Sequence, residues 1–294
     1  MTVPVLSSNR GGSQIDALLR DANRGHARDA RHPANERGVP TLLCASGRGG
    51  SGTSLIATLL AVAAAGDGYR VLLVDADDLV GPIAMLLGVK ARASWQDLRG
   101  GRVQPMDIAL RLSTTLTCVA GGAPRVEHGA ASIVTAAERR ACMRRVSTLA
   151  EHMDLVVIDC GSRVDTLLAA ITPQANERLL TVTSGSDPIA LAATFALCKA
   201  ARLRAGALSL DVLVNRHEGA EAAHCFDVID AGARQFLGTA LRFAGAVPTD
   251  PTLDTALRAG MSFPDAVTGS PAAIAAHDVV MRVLAGASLS RSGI

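Results

Sequence analysis

The chain has 294 residues, of which 49% are hydrophobic and 19% charged, and its formal net charge is +2. This composition excludes a disordered chain, and the near balance of charge argues against a general nucleic-acid coat protein. Aromatic residues make up only 2%, so a core must be built from Ala, Leu and Val. Of the 29 basic side chains only Lys90 and Lys199 are lysines, and all the others are arginines.

The cysteines and the apolar stretches indicate the compartment. Six cysteines are spread along the chain without a C-x-x-C pair, and residues 1–10 are polar. These features predict reduced thiols in the cytoplasm rather than disulfides or a metal cluster. The longest mainly apolar stretch, 55–65, is too short for a membrane span, which needs about 20 residues. The sequence therefore predicts a soluble cytoplasmic protein.

Residues 1–38 differ in composition from the rest of the chain and are predicted to form a flexible N-terminal tail. They are rich in Arg, Asn, Gly, Ser and His, with one apolar stretch at Ile15, Leu18 and Leu19. The spacing of this stretch is helical, so it is either two turns of a partner-binding helix or part of a solvated tail.

From Val39 onward, short apolar runs alternate with helix-length segments, and continuous apolar runs are typical of strands covered on both faces. The predicted strands are 41–45, 71–74, 116–119, 155–158, 179–183, 212–214 and 242–246. The predicted helices are 53–65, 136–152, 188–204, 220–237 and 272–284. This alternation predicts an α/β fold of three layers, a doubly wound and mostly parallel sheet with helices on both faces. We expect one domain over 39–288 and a short C-terminal tail over 289–294.

A glycine-rich loop follows the first predicted strand and leads into the first helix, where α/β sheets bind phosphates. It reads S-G-R-G-G-S-G-T-S over 46–54, and its four glycines let the backbone turn N–H groups inward as an anion nest. In the pattern G-x-x-x-x-G-K-[ST], Gly47 and Gly52 match and Ser54 takes the magnesium-coordinating position. Thr53 stands in place of the lysine, and no other lysine is near in sequence.

Acidic residues follow two later apolar runs. Asp75 and Asp77 come at the end of the second run, and Asp159 comes at the end of the fourth. Carboxylates at the ends of parallel strands are placed to hold magnesium and water, although a lone Asp there is commonly a turn or cap residue. A strand, a glycine loop, a helix and acidic strand ends in this order favour a nucleotide site.

These motifs resemble those of the MinD/ParA family of deviant Walker-A ATPases, whose P-loop reads K-G-G-x-G-K-[TS]. The matching stretch here is R-G-G-S-G-T-S at 48–54, the family's D-x-D segment matches 71–88, and its Walker-B strand and switch match 154–161. The likeness covers about residues 39 to 285. It implies a P-loop NTPase fold, ATP or ADP with Mg²⁺ as cofactors, and a nucleotide-dependent homodimer.

The resemblance also implies roles for individual residues. The positions that correspond to nucleotide-binding residues are Gly47, Gly49, Gly50, Ser51, Gly52, Thr53 and Ser54 for the phosphates, with Asn215 and Pro248 framing the adenine. Arg48 replaces the lysine that reaches across the dimer, and it keeps the charge. Asp77 corresponds to the carboxylate that positions the attacking water. Ser54 would hold the metal, with Asp159 behind it through water and Asp75 beside it.

Within the family, the chain resembles the flagellar-number regulators of the FlhG/FleN type over 233–238, 247–250 and 270–273. Those proteins contact a flagellar GTPase of the FlhF type through an N-terminal segment, of which 13–20 is a blurred version. The pilus-positioning relatives of the CpaE/TadZ type, which often lack the P-loop lysine too, are the alternative. They usually carry a receiver-like domain in front, for which a tail of about 38 residues leaves no room.

The missing lysine leaves two functions open. That lysine stabilises the bound triphosphate and the transition state, and its loss removes roughly several kcal/mol of stabilisation from phosphoryl transfer. The backbone nest and the magnesium position remain. We therefore predict an ATP-binding switch that regulates flagellar number or placement, with weak or absent hydrolysis. The alternative is a scaffold that binds partners without hydrolysing ATP.

Other partners find less support in the residues. The arginine-rich run 138–145 is predicted to be the solvated face of a helix, and no specific nucleic acid is expected. MinD and FlhG proteins end in a lipid-binding amphipathic helix, whereas 285–294 here carries one arginine and no aromatic anchor. The expected location is the cytoplasm, with peripheral binding at the inner membrane face left open. An iron–sulfur carrier would need a C-x-x-C or equivalent dimer-bridging cysteines.

Overall fold

The computed structural model describes residues 38–77, 81–93, 95–122, 134–172, 176–185 and 187–289. The predicted tail up to residue 37, with its apolar stretch and the segment 13–20, lies outside these residues, as does 290–294. The final helix reaches Leu289, one residue beyond the predicted end of the domain.

A single mostly parallel sheet forms the middle layer. The described strands are β1 (Thr41–Ala45), β2 (Val71–Asp75), β3 (Ala109–Arg111), β4 (Leu116–Val119), β5 (Leu155–Asp159), β6 (Glu177–Thr183), β7 (Ser209–Asn215) and β8 (Arg242–Val247). Their order in the sheet is β3-β4-β2-β5-β1-β6-β7-β8, and every neighbouring pair is parallel except β3 and β4. This order places β1 between β5 and β6, so the loops that follow β1 and β5 meet at the centre of one edge.

Helices form the outer layers. Those in the described ranges are α1 (Thr53–Gly66), α2 (Pro82–Leu86), α3 (Trp95–Arg99), α4 (Pro105–Ile108), α5 (Ala136–Ser147), α6 (Val164–Ala170), α7 (Pro188–Arg204), α8 (Gly219–Leu237), α9 (Pro251–Arg258), α10 (Phe263–Val267) and α11 (Pro271–Leu289). In the part of the chain that the structure describes, no helix combines the length and the hydrophobicity that crossing a bilayer requires.

Alternate residues of the central strand reach the two halves of the core. Leu42 and Cys44 of β1 pack in a cluster with α1, α10 and α11, whereas Leu43 and Ala45 pack in a second cluster with α5, α7 and α8. Both clusters consist mainly of Ala, Leu, Val and Ile, with some Cys and few aromatic rings, as the composition requires. The predicted three-layer α/β fold is confirmed.

The bounds of some helices and strands agree with the predicted ones, and others differ. The predicted strand 41–45 and helix 188–204 coincide with β1 and α7. The predicted helix 136–152 instead ends at Ser147 and continues as a 3₁₀ helix over Thr148–His152. The hydroxyls of Ser147 and Thr148 each donate over 2.8 Å to the carbonyl three residues earlier, and such bonds compete with the helical ladder.

The arginines of α5 correct a second expectation, because two of them contact neighbouring elements instead of extending into solvent. Arg139 is only 6% exposed, and its Nη1 lies 2.7 Å from Oδ2 of Asp165. Arg145 donates to the backbone carbonyl of Leu98 in α3 and to that of Val103, which lies between α3 and α4. The solvated-face prediction was wrong here because these guanidinium groups join α5 to its neighbours.

Glu177, at the start of β6, makes the stability of the fold depend on pH. Its side chain is buried, the backbone N–H of Thr172 donates to Oε1 over 3.0 Å, and burial raises its pKa to about 7 from an ordinary 4.5. The stability contributed by the protonated carboxyl is therefore complete below the ordinary pKa and is lost as the pH rises through the folded value. Between about pH 5 and about pH 8, we expect the wild type to lose about 1–3 kcal/mol more free energy of unfolding than Glu177→Gln.

Urea unfolding of both proteins at the two pH values measures this difference. The glutamine keeps the acceptor for Thr172 without the charge, so equal losses in the two proteins would show that Glu177 is not the titrating group.

Candidate functional site

The glycine loop between β1 and α1 has the shape of an anion nest. Gly50 and Gly52 have φ values of +83° and +86°, in the left-handed region that favours glycine. The hydroxyls of Ser46 and Ser51 both donate to the carbonyl of Arg48 over 2.9 Å. These bonds hold that carbonyl, so the loop's N–H groups are left for a ligand.

The helix after this loop begins without a side-chain cap. Gly52 is the N-cap residue of α1, and as a glycine it offers no side-chain acceptor to the first amides of this 14-residue helix. Uncapped amides at the N-terminus of a long helix, reached by a left-handed loop, fit a phosphate group. Thr53 is the first residue of α1 and is only 5% exposed, so a neutral, buried hydroxyl occupies the lysine position.

Gly47 and Gly49 let the loop pass close to α7 and to the loop after β5. A Cβ at Gly47 would lie 2.3 Å from the carbonyl carbon of Ala193 on α7, so only glycine fits there. A Cβ at Gly49 would lie 3.7 Å from Oγ of Ser162, in the loop after β5. The backbone N–H of Ser46 also donates to the carbonyl of Gly161 over 2.9 Å. The P-loop and the loop after β5 are therefore in direct contact.

Two of the predicted magnesium residues meet where α1 begins and β5 ends. The Ser54 hydroxyl is hydrogen-bonded to the carboxylate of Asp159, whose Oδ1 also accepts the backbone N–H of Gly161 over 2.9 Å. Burial raises the pKa of Asp159, and the Ser54 hydrogen bond opposes that rise. A hydroxyl beside a buried carboxylate is a suitable place for a divalent cation, which would stabilise the ionised form.

Asp75 lies opposite Asp159 in the register of β2 and β5, but its side chain faces the backbone. Its two oxygens accept the N–H groups of Asp77, over 3.1 Å, and Ile83, over 3.0 Å. Burial, and then the charge of Asp159, raise the pKa of Asp75 to about 7. In this conformation Asp75 organises the loop that carries Asp77, and Asp77 itself is half-buried.

A tryptophan that the sequence analysis did not single out also contacts this segment. The Nε1–H of Trp95 donates to the backbone carbonyl of Asp75 over 2.9 Å, and the ring is buried in the core cluster with α5. This contact bridges 20 residues and follows no motif, so no local signal could have revealed it.

Gly121, just after β4, is a second residue that the sequence did not single out, and it packs against this loop. A Cβ there would lie 2.4 Å from Cα of Gly81 and 2.8 Å from Cγ of Asp75. We expect Gly121→Ala to lower the free energy of unfolding by about 1–3 kcal/mol, because the added methyl group must displace the loop. Thermal or urea unfolding measures the loss. Gly206→Ala is the control, since its Cβ would meet nothing within 4 Å, and equal effects of the two changes would contradict the close packing.

Arg48 points away from the loop, towards the first turn of α7. Its Nη1 lies 3.6 Å from Oδ2 of Asp187, and each side chain is 47% exposed. Asp187 is the N-cap of α7 and accepts the N–H groups of Ile189 and Ala190 over 3.0 Å. The hydrogen bond from Ala190 is the main cause that lowers the pKa of Asp187. An ion pair this exposed contributes little free energy, so Arg48 can leave Asp187 for another anionic group.

Asn215 and Pro248 lie at the ends of the neighbouring strands β7 and β8. Asn215 pairs in register with Val247, which precedes Pro248. The Asn215 side chain is buried, and its Nδ2 donates to the carbonyl of Ser51 over 2.8 Å. These two residues are therefore brought together as the sequence predicts, but the Asn215 amide is bound to the P-loop.

The site provides few metal ligands of its own. Among the described residues, no three His, Cys, Asp or Glu side chains are grouped so that they could hold a metal ion. Magnesium bound with a nucleotide takes most of its oxygens from phosphate and water, so Ser54 and Asp159 suffice on the protein side. The residues present therefore fit Mg²⁺ with a nucleotide.

A comparison of the chain with protein families agrees with the P-loop, the helix after it and the acidic strand ends. A family model described as ParA, NUBPL iron-transfer P-loop NTPase, matches residues 39–284. The chain belongs to the ParA family.

Individual ParA-family relatives are distant but cover most of the chain. The antiactivator FleN of Pseudomonas aeruginosa is 25% identical over 248 residues, which are 83% of this chain and 86% of FleN. The human cytosolic Fe-S cluster assembly factor NUBP2 is 29% identical over 268 residues, 87% of this chain and 96% of NUBP2.

The solved structures agree on the fold. The septum site-determining protein MinD of Pyrococcus horikoshii, in complex with Mg-ADP, superposes with a TM-score of 0.65 at 17% identity. The superposition covers 83% of this chain and 96% of that one. The eight described strands and their flanking helices thus form a MinD-like P-loop NTPase fold.

Proposed function

We propose that this ParA-family protein is an ATP-binding switch that regulates the number or placement of flagella and hydrolyses ATP slowly or not at all. The observation that carries the nucleotide part is the uncapped N-terminus of α1 under the glycine loop, with Ser54 bonded to Asp159. The similarity to FleN over most of both chains supports the flagellar part.

Each group of the site has a definite task in this proposal. The N–H groups of the P-loop bind the phosphates, and the Ser54 hydroxyl with Asp159 holds the metal. Bound Mg²⁺ supplies positive charge next to the phosphates. Asp77 orients the attacking water. Thr53 adds no charge where the family has a lysine, so the developing charge of the transition state is stabilised less and turnover is slow.

A phosphate-release assay tests the catalytic part. We expect slow ATP-dependent release by the wild type and less by Asp77→Ala. Equal rates for the two proteins would show that this site does not hydrolyse ATP, and the non-hydrolysing scaffold would replace the switch. The buried, neutral Thr53 is the observation that favours this second candidate.

The switch also requires a dimer that depends on nucleotide. Arg48 is half exposed at the edge of the site, and a charged side chain in that position can reach the nucleotide of a second copy. Gel filtration with and without Mg²⁺·ATP tests this proposal. A shift from monomer to dimer on adding ATP supports it, whereas identical elution supports a scaffold that binds its partners constitutively.

We also propose a partner and a location for the protein. A flagellar GTPase of the FlhF type would bind the N-terminal tail, and the protein would act in the cytoplasm or at the inner face of the membrane. Deleting the gene and counting flagella per cell tests the biological role. An unchanged count together with altered pili would favour positioning of the CpaE/TadZ type.

Iron–sulfur transfer, which the name of the NUBP2 relative suggests, is not proposed. The six cysteines are all buried, and no two of them are spaced as C-x-x-C. Burial raises the pKa of Cys44, in β1, and of Cys160, just after β5, and so disfavours the thiolate that binds a cluster.

A further inference from the structure

The side chain of Asn215 touches the phosphate-binding loop rather than an open surface. The residue ends β7 and is 5% exposed, and its Nδ2 lies 2.8 Å from the carbonyl oxygen of Ser51, 164 positions away in the chain. A carbonyl only accepts hydrogen bonds, so the NH₂ end of the amide must face it. This contact connects β7 directly to the P-loop.

The loop is shaped to receive this amide. A Cβ on Gly52 would lie 2.4 Å from Nδ2 of Asn215, and the φ of +86° at Gly52 turns the chain into α1 at the same point. The carbonyl of Arg48 is held by two serine hydroxyls, and the carbonyl of Ser51 is held by Asn215. With both carbonyls bound by side chains, the neighbouring N–H groups are kept available to an anion.

The end of β7 is itself fixed. Arg216 has a φ of +65°, which is uncommon for a residue other than glycine and persists only where the surroundings impose it. Its N–H donates to the carbonyl of Val247 over 2.7 Å, and its carbonyl accepts the hydroxyl of Thr249 over 3.1 Å. These bonds to the end of β8 present the amide of Asn215 on a rigid support.

We propose that Asn215 is a positioning residue that holds the P-loop in its phosphate-binding shape, and so sets the affinity for the phosphate chain rather than the choice of base. The inference rests on the proposed nucleotide binding and deepens it. A fixed loop conformation matters more for phosphate affinity here than in a P-loop with a lysine. Thr53 adds no charge, so backbone N–H groups are the loop's main means of binding phosphate.

The first test compares Asn215→Leu with a matched control, Thr183→Val. Thr183 ends the neighbouring strand β6, is 3% exposed, and its hydroxyl donates to the carbonyl of Gly185 over 2.9 Å rather than to a P-loop carbonyl. Both proteins and the wild type are titrated with Mg²⁺·ATP, Mg²⁺·GTP and inorganic tripolyphosphate. We expect Asn215→Leu to weaken binding of all three ligands by about tenfold, with the ratio of ATP to GTP affinity unchanged.

Thr183→Val is expected to change none of the three affinities. A loss confined to ATP in Asn215→Leu, with tripolyphosphate binding as in the wild type, would overturn the proposal, since it would show that the amide reads the adenine.

The second test needs no ligand. Hydrogen exchange in the ligand-free proteins should be about tenfold faster for the amides of 49–54 in Asn215→Leu, and unchanged there in Thr183→Val. Unchanged exchange in Asn215→Leu would overturn the proposal that Asn215 holds the P-loop. If the wild type bound none of the three ligands, the proposed function would fail, while the exchange measurement would still decide whether Asn215 holds the loop.

Discussion

Replacing Thr53 with lysine is expected to raise the rate of ATP hydrolysis by about 10²–10³-fold. Thr53 is the first residue of α1, directly after the left-handed Gly52, at the position where the P-loop pattern has its lysine. A single charge-stabilising group at a developing negative charge contributes roughly this factor to the rate. The Ser54 hydroxyl is already hydrogen-bonded to Asp159, and the backbone N–H of Asp77 donates to Asp75.

A phosphate-release assay on Thr53→Lys measures the gain, with Thr53→Met as a control of similar length and no charge. The double variant Thr53→Lys/Asp77→Ala should return to the wild-type rate or below it. No gain in Thr53→Lys, with ATP still bound, would show that the lysine is not what limits hydrolysis in this chain.

Replacing Ser54 with alanine is expected to weaken binding of Mg²⁺·ATP by about 10–100-fold and to remove most of its dependence on magnesium. The variant loses the hydroxyl that would coordinate the metal. It also leaves the buried Asp159 carboxylate without that hydrogen bond. Binding of ATP without metal should change little, because the backbone N–H groups of the loop are unaffected.

Ser51→Ala is the matched control, since it removes a serine hydroxyl of the same loop that donates to the carbonyl of Arg48 over 2.9 Å. Titrations with ATP in the presence of Mg²⁺ or of a chelator measure both effects. If Ser51→Ala and Ser54→Ala lost magnesium dependence equally, the assignment of the metal position to Ser54 would be wrong.

The fold could be predicted from the sequence wherever a strand lies inside the sheet. Buried strands such as β1 and β5 are continuous apolar runs, because helices cover both of their faces. The antiparallel edge strand β3 has three residues and no such run, so it was missed. Short helices such as α4, of four residues, hold too few turns to show a helical period.

The local parts of the site could also be predicted. The structure brings the P-loop residues, Ser54 and Asp159 together as expected, because a glycine loop and strand ends are determined over a few residues. The contacts of Trp95 and Gly121 with the loop of Asp75 depend on chain folding across larger separations. Asp187 is an exception. An Asp directly before Pro188 at a helix start is a capping signal, and it could have been found in the sequence.

Asp75 makes contacts that its expected position beside the metal did not predict. Both of its oxygens accept backbone N–H groups, which makes it a residue that shapes the loop of Asp77. A D-x-D pattern identifies both carboxylates but not which of them faces the ligand. That distinction depends on where the chain turns after β2, which the sequence pattern alone does not determine.

Calorimetric titration of the wild-type protein with ATP, with and without Mg²⁺, measures whether the backbone nest binds triphosphate although Thr53 replaces the lysine. We predict a saturable heat of binding with Mg²⁺, a weaker one when the metal is chelated, and a higher unfolding temperature in the presence of Mg²⁺·ATP. The absence of both binding heat and a thermal shift would contradict the account.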